Sequence, residues 1–482
     1  MEGLRNKASR KYLFGRLPST FRMKFIVIGG GIAGLMAAHR LRSDHPDAAI
    51  TLIEREKQLG GLLAGAEYGN GRYFDLGTHV FQETRNAEID NFLLSIVPAE
   101  ELIHFDVGQG DLAGSVFSGH LQSNTHFTDL RHLIGDAGEL ISSLRSHVAE
   151  INEFPSIDRR AALMDVARLR FGESYSSQVL GPMLEHVFGR PAETLSGFAL
   201  LLLGLTRVVV DDLPAWLNQA DDEKYRTVFG VPDQRMLPKE YRNSKRSFYS
   251  RKGGSSAFVE GITRFLEDSE VCFKVGASVV DLDLETASLN LKNSVGQSET
   301  IKNADGIVIA TGVIGMAKLL GLDMVPFGFD RPMPHDLIHV ELEEPVDSDL
   351  CYFYGLDAEC EFYRITNYRA LTKLENDSRL TIELLGHSQP DPEILLSSVT
   401  SRLKALGFLS NEEFLFSKLQ RLPAGFPVPT VRNMKALESL SEYLETLLNS
   451  KTKVAGIGAR PGLFFQNEII TDVHERAARF AS

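Results

Sequence analysis

Lys24-Phe25-Ile26-Val27-Ile28-Gly29-Gly30-Gly31-Ile32-Ala33-Gly34, with Glu54 twenty residues further on, is the stretch that decides the fold. Lys24 to Ile28 is a short apolar run suited to a strand buried on both faces. The glycines that follow have the G-x-G-x-x-G spacing. Gly29 allows the sharp turn, Gly31 leaves room for a pyrophosphate against bare backbone, and Gly34 lets helix and strand pack closely. A helix from about Ile32 to Leu41, opening on Ile32 and Ala33, would aim its N-terminal N–H groups at the phosphates. Ala49 to Ile53 reads as the next strand, closed by Glu54, whose carboxylate can accept from both ribose hydroxyls. The expectation is an α/β protein with a Rossmann-type domain that binds a dinucleotide.

Glu54 argues against a ribose 2′-phosphate, because two anions would meet there. The stretch Arg55-Glu56-Lys57-Gln58-Leu59-Gly60-Gly61-Leu62 places a second glycine pair six residues after the acid. A simple nicotinamide dehydrogenase has no need of that pair, but a chain that passes a pyrophosphate and ribityl group again does. The reading is therefore FAD.

With these parts in place the chain resembles the flavin amine oxidase superfamily, which includes protoporphyrinogen oxidase, phytoene desaturase and UDP-galactopyranose mutase. Further stretches are similar to that family. Asp75-Leu76-Gly77-Thr78-His79 resembles a segment lying against the isoalloxazine, and Arg251-Lys252-Gly253-Gly254 a Gly-Gly-plus-helix element. Val279 matches a valine whose main chain contacts adenine. Ala304 to Gly312, ending Ala310-Thr311-Gly312, is similar to the strand that completes the FAD domain. Val454 to Arg460 with Asn467-Glu468-Ile469-Ile470 resembles the last strand and the start of a flavin-facing helix. The resemblance implies cofactor contacts at Gly29, Gly31, Ile32, Ala33, Gly34, Glu54, Arg55, Gly61, Leu62, Gly77, Thr78, His79, Val279, Thr311, Gly312, Gly458, Arg460, Glu468 and Ile469. Arg460 would neutralise pyrophosphate or pair with Glu468, and the N–H groups at the helix start would stabilise anionic flavin. It also implies catalytic roles for His79, as a hydrogen-bonding or proton-shuttling imidazole, and for Arg364, as a cation facing flavin and substrate.

The resemblance further implies a discontinuous FAD-binding domain (residues 23–85, 245–330 and 450–482), a mostly helical substrate domain (86–244), and a substrate-domain sheet with helices (331–449). Alternation in Leu337–Leu342, Tyr352–Tyr354, Phe362–Ile365 and Leu380–Leu384 supports that sheet. The apolar run Phe198 to Val210 reads as a buried helix, being too short for a bilayer, which takes about 20 residues. Asp211 to Ser250, charged and weakly periodic, suits a lid or a solvated connection. Residues 1–22 carry six cations against Glu2 and read as a disordered arm, although such composition also fits a transit peptide.

At 482 residues, two or three domains are expected. The net charge of −13 disfavours nucleic acid, and Cys272, Cys351 and Cys360 are too scattered for a disulfide framework or a metal site. A reducing, cytoplasmic setting fits, with a small-molecule substrate and a homodimer among the assemblies open to the chain.

Three functions follow. The leading one is an oxidoreductase passing a hydride from a small organic substrate to flavin N5. The second is a redox-neutral enzyme like UDP-galactopyranose mutase acting on a nucleotide sugar, and the third a non-catalytic binding protein like the Rab GDP-dissociation inhibitors. The mutase's stacking tryptophan is replaced here by Val187-Phe188 and its diphosphate-gripping tyrosines by Phe464-Phe465, so the pocket reads as apolar, lined by Phe188, Phe362, Phe464 and Phe465. The inhibitors have a degraded glycine loop, whereas Gly29, Gly31 and Gly34 are all present.

Overall fold

The computed structural model describes residues 22–133, 137–242, 245–386, 391–410, 413–458, 460, 463 and 465–480. The expected N-terminal arm (but for Arg22) and Phe464 lie outside the described residues.

A five-stranded parallel sheet collects distant pieces of chain. Its strands are β1 (Lys24–Ile28), β2 (Ala49–Glu54), β3 (Cys272–Val275), β4 (Gly306–Ile309) and β5 (Val454–Gly456), in the order β3-β2-β1-β4-β5. Side chains alternate across a strand, and both faces of this sheet are covered. Phe25 and Val27 face helices α1 (Ile32–Asp44), α2 (Ser256–Asp268) and, further on, α4 (Gln466–Ala477). Ile26 and Ile28 face an antiparallel meander (Ala277–Asp283, Ser288–Asn293, Ser298–Ile301), helix α3 (Gly312–Leu319) and the helix Val431–Asn449. Burial on both sides is why β1 and β4 are continuously apolar.

A second, mixed sheet has seven strands in the order Phe414–Arg421, His335–Leu342, Arg379–Leu385, Arg364–Asn367, Tyr352–Gly355, Ala113–Phe117, His120–Gln122. One face is apolar: Ile338, Val340, Phe353, Ile365, Leu380, Ile382 and Leu384 pack on Leu395, Val399 and Leu403 of the helix Pro392–Ala405. The opposite face carries Tyr352, Tyr354, Arg364, Thr381, Glu383, His335 and His339, all partly or fully buried. In Arg379–Leu385 the alternation is complete, with Thr381 and Glu383 turned away from the apolar side. That inner face meets the His79 loop.

The stretch 86–244, expected to be mostly helical, also holds strands: Ala113–Phe117 and His120–Gln122 complete the second sheet, and Leu102–Phe105 pairs with Ser247–Ser250. These strands are short, so their sequence carries little alternation. Two expectations need correcting. Phe198 to Val210 is buried, but its helix covers only Phe198–Leu202 and a short strand, Val208–Val209, follows. Asp211 to Ser250 is more than a solvated connection. Trp216 is 2% exposed and donates from Nε1 to Phe229 O at 3.0 Å, within a core that includes Tyr225, Val228 and Leu237. Among the described residues, no helix is long and apolar enough to cross a membrane.

Candidate dinucleotide and redox site

The glycines of the first loop divide by what surrounds them. A Cβ on Gly34 would stand 1.8 Å from Gly29 O, and one on Gly29 would stand 2.6 Å from Ala310 O. Both are fixed by the chain's own packing. Gly31 is different. It caps α1 in extended conformation, φ −72°, which any residue can adopt, and a Cβ there would have no protein atom within 4 Å. Neither conformation nor packing demands glycine at that position, and the backbone there faces open space. Gly61 packs on it, its Cβ position 3.5 Å from Gly31 Cα, and Gly312 at the start of α3 likewise faces no protein atom within 4 Å. Thr311 caps that helix beside Gly29. A dinucleotide fits this cradle, with α1 pointing its N-terminal N–H groups into it.

Glu54 ends β2 at the same loop. Its Oε2 accepts from Gly30 N–H at 2.6 Å and its Oε1 from Glu56 N–H at 2.8 Å. Gly30 itself must be small, because a Cβ would lie 2.5 Å from Leu59 Cδ2; the spacing motif does not assign that residue. Ala33 and Ile469 meet at Gly458, whose Cβ position lies 3.4 Å and 3.5 Å from their side chains. Ile32 is buried in the core behind the loop, and Leu62 is exposed. Val279 sits at a bulge in the strand that follows β3, whose Val275 pairs with Glu54.

Some expected members lie elsewhere. Arg55 is exposed and pairs with Glu56. Arg460 is exposed and bonds Asp472 at 2.9 Å, not Glu468; Asp472 also accepts from Gly458 N–H at 3.0 Å, so the arginine braces that turn. Glu468 instead meets Arg159 at 3.1 Å and reaches back to Phe465 N–H. Helix α4 begins at Gln466, two residues earlier than expected, so Ile469 N–H already bonds Phe465 O. Its free-ended turn is Gln466–Glu468.

The loop Asp75 to His79 is held by two buried carboxylates. Asp75 accepts from the Tyr73 and Tyr249 hydroxyls and from Ser255 Oγ and N–H. Glu383, fully buried, bonds Arg364 through two contacts, Nε at 2.6 Å and Nη2 at 2.9 Å, and lies 3.3 Å from His335 Nε2. It also accepts from Thr78 N–H at 3.2 Å, close against Gly77, whose φ of +102° suits glycine. Burial alone would raise the Glu383 pKa. The Arg364 charge, with hydrogen bonds from His335 and Arg364, outweighs that and holds it well below the usual carboxylate range. Arg364 is thus no surface ion pair: its guanidinium lies 5.5–5.9 Å from the ring centroids of Tyr352, Tyr354 and Tyr363.

His79 Nε2 donates to Leu76 O at 3.1 Å, which leaves Nδ1 to accept from Gln466 Nε2 at 3.3 Å. Burial pushes its pKa down, so the ring is neutral at pH 7. The sequence reading missed Glu383 and Asp75. A lone charge on the inner face of an otherwise alternating strand, Thr381-Ile382-Glu383, was the available signal.

Beside this loop lies a cavity of about 500 Å³, reached by Gln82, Arg85 and Phe465. Arg207, Arg242 and Lys245 also contribute to its lining. Phe188 is fully buried against Phe426, and Phe362 packs behind the sheet on Phe353, so neither lines it. Among the described residues no cluster of metal-ligating side chains occurs.

Fold and loop together define a Rossmann-type dinucleotide-binding protein, and residues 27–93 match the family of NAD(P)-binding Rossmann-like domains. The coproporphyrinogen III oxidase of Mycobacterium leprae (strain TN) is 27% identical over 307 residues, 61% of this chain. The chain spans 61% of that relative's length. The Mycobacterium bovis enzyme of the same name is 47% identical over 58 residues, 12% of this chain and 13% of the relative. Among solved structures, reduced UDP-galactopyranose mutase aligns at TM-score 0.71 and 17% identity, covering 95% of this chain and 93% of the mutase. An Exiguobacterium sp. 255-15 protein assigned as a protoporphyrinogen oxidase aligns at 0.63 and 17%, covering 95% and 98%. Over nearly its whole length the chain shares the fold of these two solved structures.

Proposed function

We propose that this protein is a FAD-dependent oxidoreductase acting on a small organic substrate, with hydride passing to flavin N5. The observation that carries the reading is Gly31, a glycine that the chain's own conformation and packing do not require. The coproporphyrinogen III oxidase relative and the shared fold support it. The segments 23–85, 245–330 and 450–482 would form the FAD-binding unit, and 86–244 with 331–449 the substrate side.

Bound FAD supplies the hydride-accepting ring, so the chain needs no nucleophile of its own. The start of α1 and the bare backbone at Gly31 and Gly312 would hold the pyrophosphate, and Glu54 would accept from the ribose hydroxyls. His79 offers a neutral imidazole held in one orientation by Leu76 O and Gln466. Arg364 offers a permanent positive charge, fixed in place by Glu383. A cytoplasmic setting suits the three free thiols, of which Cys351 and Cys360 are buried.

The visible spectrum of the purified protein, followed by turnover in air and after dithionite reduction, tests the reading. A yellow protein active in air with peroxide formed is the expected result. Activity only when reduced would move the protein to the mutase reading, and a colourless protein that cannot be reconstituted with FAD would end both.

A further inference from the structure

The cavity beside the His79 loop carries charge of one sign. Arg85, Arg207, Arg242 and Lys245 line it, and among the described residues no aspartate or glutamate does. This stands out in a chain whose net charge is −13. Arg242 is steered by main-chain carbonyls alone, donating to Leu237 O and Arg235 O at 2.7 Å each. Arg207 lies 6.0 Å from the Phe127 ring centroid. Among the described residues no carboxylate pairs with Arg85, Arg207, Arg242 or Lys245. Two neutral groups in the same wall, His126 Nδ1 and Gln234 Nε2, are buried with no hydrogen-bond partner in the protein.

Gathering like charges on a concave surface opposes folding unless a counter-charge is part of the working state. Cations in an acidic protein ordinarily find carboxylates, and these, of which Arg207, Arg242 and Lys245 are part-buried, do not. At about 500 Å³ the space suits a small organic molecule rather than a single ion. Phe465, which leads into α4, and Gln82, three residues past His79, bring it to the redox loop.

From these contacts we infer that the cavity is the substrate pocket and that the substrate is a multiply charged anion. Its carboxylate or phosphate groups are held by Arg85, Arg207, Arg242 and Lys245, while Gln234 and His126 meet polar groups between them. That the bound anion is the substrate rests on the flavoenzyme reading; the anion site itself does not.

The test is calorimetric titration of the FAD-loaded protein with inorganic pyrophosphate and, separately, with benzene-1,3,5-tricarboxylate. Saturable binding of at least one is expected, with the uncharged benzene-1,3,5-tricarboxamide inert, and the tighter of the two anions identifies the chemical source of the charge. Arg207→Gln and Arg85→Gln should each weaken binding roughly tenfold, the effect of losing one charge-assisted hydrogen bond. Arg207→Lys should restore most of it. Binding heat without a change in the flavin spectrum would keep the anion site and tell against the flavin lying beside it. Absence of binding by both anions, or affinity unchanged in the Arg207→Gln, Arg85→Gln double variant with its FAD spectrum intact, would overturn the inference.

Discussion

The glycine loop and the Arg364–Glu383 cluster hold the two halves of the candidate site, and they are built in opposite ways. The loop is largely local: Gly29 to Gly34 with Glu54 form its core, and the Ala310–Gly312 turn closes against it. The cluster takes Gly77 and Thr78 from one segment, His335, Arg364 and Glu383 from three strands, and no spacing rule joins them. A local device can be read from its residue types, whereas a device assembled by a sheet can be read only once the register is known. The two also fail differently when altered, which gives five ways to probe the contrast.

The largest effect should come from Glu383→Gln. It leaves Arg364 buried without its counter-ion and should lower the unfolding free energy by about 3–5 kcal/mol, measured by urea denaturation. A loss well below 1 kcal/mol would mean the pair is not the brace described. Next, Gly34→Ala should cost about 1–3 kcal/mol, because its Cβ collides with Gly29 O. Gly31→Ala should leave stability within about 0.5 kcal/mol of the parent while FAD retention, read at the flavin absorbance band, falls at least about tenfold. Equal FAD retention in the two proteins would remove the argument for the cradle.

Acid should act on the cluster and the histidines together. His126 and His339 are pushed down to about 4, chiefly by burial. A lowered folded value means that the unfolded chain takes up protons first, so their contribution is complete above about pH 6.5 and is lost as pH falls toward about 4. Glu383 has the same sign: its contribution is complete above the unfolded value of 4.5 and declines as pH drops below it. Urea midpoints should therefore fall from pH 6.5 to 4 and continue to fall below, and Glu383→Gln should flatten the lower limb only. The smallest effect belongs to Arg55→Gln. Its exposed contact with Glu56 should be worth under about 0.5 kcal/mol, with FAD retention unchanged.

What could be read from sequence follows the same division. The strand–loop–helix–strand unit and Glu54 were legible because each step has its own local signal. Arg364 was reached through resemblance alone, and its partner Glu383 went unassigned because a carboxylate in a strand carries no mark of what it will face. The ion pairs of Arg55 with Glu56 and of Arg460 with Asp472 carry no sequence signal, since neither partner is marked by a motif. The strands Ala113–Phe117 and His120–Gln122 were missed because five and three residues are too few to show a period. The basic lining of the cavity was hidden in the same way, since Arg85, Arg207, Arg242 and Lys245 are scattered over 160 positions.

The parallel sheet has a consequence for how the protein is made. β1 and β2 leave the ribosome early, but β4 pairs with β1 only after residue 309 has been synthesised, and β5 closes the far edge only after residue 456. Through most of translation the nascent chain therefore presents the wholly apolar Phe25–Ile28 rim with one edge unpaired. Such a rim invites aggregation and slow maturation, so any truncation ahead of Val454 should yield material that depends on chaperones or accumulates as inclusion bodies.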